Sequence, residues 1–165
     1  MSIGFGTYRL NENTYTATKH AIHVGYNIID TAPLYGNLEE VGRAIKDSNI
    51  FITTKISRES LEVLDIVGSI KDTMCKLDVK YLHEVILHEP INYKENWKRL
   101  SDFYQTDGKD IIGNIGVSNF NQNHIQDILD DKTTLNPYVN QIELNPFLMR
   151  GTLPEYCKNN NINIV

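Results

Sequence analysis

The chain has 165 residues, with 16 Lys and Arg against 21 Asp and Glu for a formal net charge of −5, and it is 41% hydrophobic and 22% charged. These proportions describe one soluble domain able to bury a core, and the missing basic excess argues against nucleic acid as a partner, because phosphate binding needs clustered Lys and Arg. No apolar run approaches the roughly 20 residues that span a bilayer, and MSIGFGTYRL has neither a basic start nor a long apolar segment. The expectation is a cytoplasmic protein with no membrane partner.

Short apolar runs alternate with stretches of helical period along the whole chain. A strand is predicted over residues 3–7, then a helix over 15–24 with apolar Ala17, Ala21 and Val24 before Gly25. A second strand over 27–30 precedes a helix marked by Leu38, Val41 and Ile45, with Asn37 as its cap and Glu39 and Glu40 favoured by the dipole in its first turn. A third strand over 50–54 leads to a helix through Ile66, Ile70, Met74 and Leu77, which Gly68 weakens. The fourth strand, 85–87, is apolar on both faces, as a covered parallel strand should be.

Trp97, Leu100 and Tyr104 mark the next helix and read as core. A fifth strand over 111–117 is followed by a helix through Ile125, Ile128 and Leu129. A sixth strand over 138–142 and a helix with Leu153, Pro154, Tyr156 and Cys157 come before a seventh strand over 162–165. No linker or low-complexity tract interrupts the pattern, so residues 1–165 read as a single α/β domain with a parallel sheet.

A doubly wound sheet and a (β/α)8 barrel share this alternation. They differ in where polar residues collect, at one switch point in the first and at many successive strand ends in the second. Here Asp30 ends the second strand with Tyr35 close behind, Lys55 ends the third, and His88 ends the fourth. Ser118 and Asn119 end the fifth, and Gln141 lies near the end of the sixth. That spread favours a TIM (β/α)8-type barrel, incomplete, with six β/α units and the start of a seventh strand.

Each of these residues has an ordinary structural role open to it: Lys55 as a solvated loop lysine, Tyr35 as a rim aromatic, His88 as a hydrogen-bonded histidine and Asp30 as a turn residue. Their conjunction points to chemistry. A lysine ammonium beside a tyrosine favours the phenolate and lowers a pKa that otherwise lies near 10, and a carboxylate keeps that lysine charged and directed. A neutral histidine can hold a substrate carbonyl oxygen in place. Asp30, Tyr35, Lys55 and His88 thus form a set for protonating an oxygen while hydride reaches carbon.

The segments that carry these residues resemble those of the aldo-keto reductase family. Ile3-Gly4-Phe5-Gly6-Thr7 is similar to its first-strand G-x-G-T, and the run from Ile29-Asp30-Thr31-Ala32-Pro33-Leu34-Tyr35-Gly36 to Gly42 resembles its Asp-Thr-Ala…Tyr-Gly signature. Thr53-Thr54-Lys55, Leu87-His88-Glu89-Pro90, Gly116-Val117-Ser118-Asn119-Phe120 and Asn140-Gln141-Ile142-Glu143-Leu144-Asn145-Pro146 resemble its lysine, histidine, Ser-Asn and glutamine strands. The resemblance implies NAD(P)H-dependent reduction of an aldehyde or ketone, with Tyr35 as proton donor, Lys55 and Asp30 tuning it and His88 orienting the carbonyl. It also implies that Gly6, Thr7, Asp30, Ser118, Asn119 and Gln141 line the cofactor site, the last three toward the nicotinamide carboxamide. Family habit favours NADP(H), with NAD(H) as the alternative. No metal is expected.

Two positions depart from the family pattern. Leu38 stands where many members have a small or polar residue, and Glu89 stands where many have an aromatic, which puts a charge at the substrate mouth. A complete barrel takes about 250 residues, so the chain reads as a truncated member lacking the family's eighth strand and basic phosphate loop. The expected consequences are unpaired edges at the first and seventh strands, self-association through them, and weak turnover. The alternative function is a catalytically impaired fragment that serves as a binding or oligomerisation module, or a degenerating remnant. A metal-dependent hydrolase is disfavoured, because Gly4-Phe5-Gly6 occupies the place of its first-strand histidines. His20 and His23 have no Glu partner of the metalloprotease type, His83 and His88 point to opposite faces of their strand, Gly4-x-Gly6 lacks the third glycine of a dinucleotide fingerprint, and Cys75 and Cys157 read as reduced, partly buried thiols.

Overall fold

Seven short runs of β-forming residues pair as one sheet in the computed structural model, which describes residues 3–165. They are β1 (Phe5–Gly6), β2 (Ile28–Asp30), β3 (Phe51–Ile56), β4 (Leu82–Leu87), β5 (Ile112–Ser118), β6 (Val139–Gln141) and β7 (Asn163–Ile164). Each strand pairs in parallel with the next, and the spatial order is the chain order. A doubly wound sheet reverses its order at a switch point, so it is ruled out. The sheet is also curled, because the Gln141 amide at the end of β6 donates to the Asp30 carboxylate at the end of β2, 2.8 Å away. An incomplete (β/α) barrel is the result.

The strands are joined by α1 (Thr14–His23), α2 (Leu38–Ile45), α3 (Arg58–Glu62), α4 (Ile66–Leu77), α5 (Tyr93–Phe103), α6 (Gln122–Asp130) and α7 (Leu153–Asn159). Their apolar stripes cover the outward side of the sheet. Ile29, Ile52, Val85, Leu87, Ile115 and Val117 pack there against Val41, Ile45, Ile70, Leu77, Trp97, Leu100, Ile125 and Ile128. Each such side chain contributes about 1.5–3 kcal/mol by leaving water. Trp97 is 1% exposed, and its indole N–H donates to the Leu135 carbonyl at 2.7 Å, which satisfies its one polar atom.

Several local expectations shift for identifiable reasons. β3 runs two residues beyond its expected end, since Thr53 to Ile56 pair in register with Glu84 to Leu87 of β4, and Lys55 is therefore part of the strand. β4 begins three residues early and takes in His83 and Glu84 despite their polarity. Asn37 stands at the N-cap position of α2 as expected, but its side chain makes no cap hydrogen bond; the amide donates instead to the Thr7 carbonyl at 2.8 Å and to the Thr14 hydroxyl at 3.1 Å, tying the turn after β1 to the helices. Gly68, far from weakening α4, allows its cap: the Gly68 N–H donates to Asp65, and a Cβ at Gly68 would lie 2.2 Å from that carboxylate. α5 ends at Phe103 and passes into a π-helical turn, Tyr104–Gly108, where the Tyr104 hydroxyl donates to the Gly113 carbonyl. Cys157 is buried as expected, whereas Cys75 is exposed.

Among the described residues, β1 and β7 are each paired on one side only. No described helix is long and apolar enough to cross a membrane.

Candidate active site

Parallel pairing aligns side chains in rows, so the register states which residues share the inner face. Val85 and Leu87 of β4 pack outward under the helices, so alternation turns Glu84, Ile86 and the succeeding His88 inward. In register, Gly6, Asp30, Thr53, Glu84 and Asn114 form one row, and Lys55, Ile86 and Gly116 form the next toward the C-terminal rim. The rim thus receives its polar groups from consecutive strand ends.

Lys55 and Asp30 meet there. The ammonium lies 2.5 Å from Asp30 Oδ1, with Lys55 2% and Asp30 21% exposed, and it also donates to the Thr31 carbonyl at 3.4 Å. Gln141 holds the second carboxylate oxygen. Tyr35 closes the short turn Pro33–Tyr35, which Gly36 ends in the left-handed region at φ 68°. Its ring centroid lies 5.2 Å from Lys55 Nζ and 6.1 Å from the His88 ring, which it meets edge-on at 77°. The four residues Asp30, Tyr35, Lys55 and His88 are therefore neighbours on one rim.

The electrostatics correct one expectation. Burial, then the Asp30 charge and Tyr8, push the Tyr35 phenol above its ordinary value, whereas the sequence reading has Lys55 pulling it down. The main reason is that burial removes the water that would stabilise the phenolate, and the Asp30 carboxylate then adds its own repulsion. Among the described residues, the Tyr35 hydroxyl also has no hydrogen bond to Lys55 or His88. Burial lowers Lys55, with Asp30 opposing it. Burial and the Lys55 charge lower His88, keeping its imidazole neutral at neutral pH, and its Nδ1 is buried without a partner.

Ser118, Asn119 and Gln141 also converge. Ser118 donates to the Gln141 carbonyl at 3.0 Å, and the Asn119 amide donates to the Ser118 hydroxyl at 3.1 Å and the His88 carbonyl at 3.2 Å. Asn119 takes a left-handed φ of 62°, a conformation asparagine tolerates. Gly6 heads the row, with no atom within 4 Å of where its Cβ would stand. Thr7 is wholly buried, and its hydroxyl donates to Thr31 Oγ1 at 3.0 Å and the Asp30 carbonyl at 3.2 Å, so its side chain serves the frame beneath the site.

Three contributors escaped the sequence reading. Tyr8 lies against Tyr35, ring centroids 4.9 Å apart and planes tilted by 48°, and carries Arg9 over its own ring. Glu84 is buried in the inner row, and its signal was an ionisable residue at period-two spacing below His88 in an apolar strand. Arg58 pairs with Glu89 across the ends of β3 and β4, a partner that residue order does not suggest.

Sequential parallel strands that bring Asp, Tyr, Lys and His to one rim define the incomplete (β/α) barrel of a known group of proteins. The chain belongs to the aldo/keto reductase family, whose model matches residues 2–165. It is similar to glyoxal reductase of Bacillus subtilis, at 37% identity over 98% of this chain and 60% of that protein. Methylglyoxal reductase of Escherichia coli K12 is 35% identical over 92% of this chain and 56% of its own length. Among solved structures, the aldo-keto reductase MGS-M4 from a Medee basin deep-sea metagenome superposes with a TM-score of 0.87 at 36% identity, covering 98% of this chain and 61% of that one. The chain spans about 60% of the length of such relatives.

Proposed function

We propose that this chain carries the reductive site of an NADP(H)-linked oxidoreductase acting on small aldehydes or ketones, with Tyr35 as the proton donor. The observation that carries the proposal is the meeting of Asp30, Tyr35, Lys55 and His88 at one rim, each supplied by the end of a strand or the turn after it. The names of the similar proteins favour compact dicarbonyls such as glyoxal and methylglyoxal as substrates.

The roles follow from the groups. Neutral His88 offers one N–H donor, suited to holding a carbonyl oxygen between itself and the Tyr35 hydroxyl. As the oxygen gains negative charge, Tyr35 would pass its proton to it; burial and the Asp30 charge work against that transfer, and Lys55, with its Nζ 5.2 Å from the ring centroid, is the cation placed to oppose them. Asp30 and Gln141 hold that ammonium in place. The hydroxyl and amides of Ser118, Asn119 and Gln141 match the donor and acceptor pattern of a carboxamide, so these residues would hold a nicotinamide. When bound, that group would supply the hydride. NADP(H) is favoured over NAD(H) by family habit alone.

The raised Tyr35 and the engagement of Gln141 with Asp30 support slow turnover for the 165-residue chain, and the one-sided pairing of β1 and β7 supports its self-association. The test is NADPH oxidation with methylglyoxal by the purified chain and by Tyr35→Phe. The variant is expected to fold unchanged and to lose at least about 100-fold in kcat/KM. An unchanged rate would remove Tyr35 from its role, and light scattering would read the mass.

A further inference from the structure

Barrel interiors are filled mainly by branched apolar side chains, yet this one holds a carboxylate that the proposed chemistry does not use. Glu84 is 6% exposed. Its register partner on β3 is Thr53, whose own partner on β2 is Asp30, so the two carboxylates stand on one inward row, one on each side of Thr53. Lys55 rises from the same strand two residues beyond Thr53. The lysine's strand is thus flanked by acid on both sides, Asp30 in direct contact and Glu84 opposite.

The Thr53 hydroxyl donates to Glu84 Oε1 at 3.2 Å, which fixes one carboxylate oxygen and fits an ionised acceptor. A buried carboxylate with one neutral hydrogen bond needs a countercharge, since the cost of taking it out of water is several kcal/mol. The charged and titratable groups that face it are Asp30 from β2 and Lys55 from β3; its β5 neighbour in register, Asn114, is neutral, and His88 lies on its own strand toward the rim. Lys55 is the one cation of that set. Burial and then the Asp30 charge raise Glu84, opposed by the Thr53 hydrogen bond and by Lys55; burial lowers Lys55, opposed by Asp30 and then by Glu84.

We propose that Glu84 is a positioning residue for Lys55: together with Asp30 it brackets the ammonium on the inner row, keeping it charged and holding it at the rim. This rests on the catalytic assignment of Lys55 but reaches beyond it, to a residue outside the set of four. The bracket gives a 2%-exposed lysine a second carboxylate while Asp30 shares its own with Gln141.

The experiment reads Lys55 itself. In the full chain labelled at lysine, with the Lys55 resonance assigned by its disappearance in Lys55→Met, NMR follows the titration of the ammonium without cofactor or substrate. Glu84→Gln keeps the shape and removes the charge, so Lys55 is expected to titrate at lower pH, and Glu84→Asp to return it toward the native value. A Lys55 titration unmoved by Glu84→Gln overturns the proposal. Should that variant fail to fold, the native chain decides: the Lys55 resonance is expected to show a second inflection as Glu84 titrates, and a single inflection overturns the bracket. Because no turnover is measured, failure here is distinct from failure of carbonyl reduction, which the Tyr35→Phe assay reads.

Discussion

Two ion pairs three residues apart in the sequence join neighbouring strand ends and differ in almost everything that matters. Lys55 reaches Asp30 from inside the sheet, with the cation 2% exposed and the carboxylate 21% exposed and further held by Gln141. Arg58 reaches Glu89 on the outer lip, with side chains 52% and 28% exposed, and shares itself with Glu62 at 3.8 Å. Coulomb attraction in water-like surroundings is small and screened, whereas a pair cut off from solvent interacts strongly and is costly to break. The inner pair therefore contributes to the pKa values of its neighbours, and the lip pair chiefly sets the charge at the solvent edge of β3 and β4.

The sharpest way to break this contrast is Asp30→Asn. It leaves a buried ammonium without its contact partner and is expected to cost about 3–5 kcal/mol in urea unfolding; a loss under about 1 kcal/mol would mean that Lys55 relaxes into solvent. Gln141→Ala removes one hydrogen bond to the same carboxylate and should cost about 1.5 kcal/mol, with no effect on the lip.

The third prediction concerns pH. His88 is held below its ordinary value by burial and by Lys55, so the unfolded chain binds its proton at higher pH than the folded chain does. Stability contributed by neutral His88 is present above its unfolded pKa of about 6.5 and is lost as pH falls below it toward the lower folded value. The melting temperature should fall more steeply between neutral pH and pH 5 in the native chain than in His88→Gln, and parallel curves would show that His88 titrates alike in the folded and unfolded chain. The smallest effect is expected from Glu89→Gln: under about 1 kcal/mol in unfolding, shrinking further with added salt.

The element order was legible because strand and helix periods differ, and alternating runs such as 50–54 and 66–77 carry that difference in apolar spacing alone. Element ends were less so. β3 extends through Lys55 because β4 pairs with it, and Asn37 holds the N-cap position while its amide turns to the Thr7 carbonyl and Thr14 hydroxyl. Asp30, Tyr35, Lys55 and His88 were nameable from their places at strand ends and from motif resemblance. The direction of the Tyr35 shift was not, since it depends first on how deeply the phenol is buried and then on its distance from the Asp30 charge.

By itself the sequence determined the alternation of elements, the residues at the strand ends and the family, because these depend on local period and on short motifs. Only the tertiary structure decided that Gln141 crosses from β6 to Asp30 on β2, that Glu84 is buried beside Thr53 inside the sheet, and that the phenol is raised. Those outcomes depend on distance and on exclusion of water between residues far apart in the chain, and neither quantity is written in residue order.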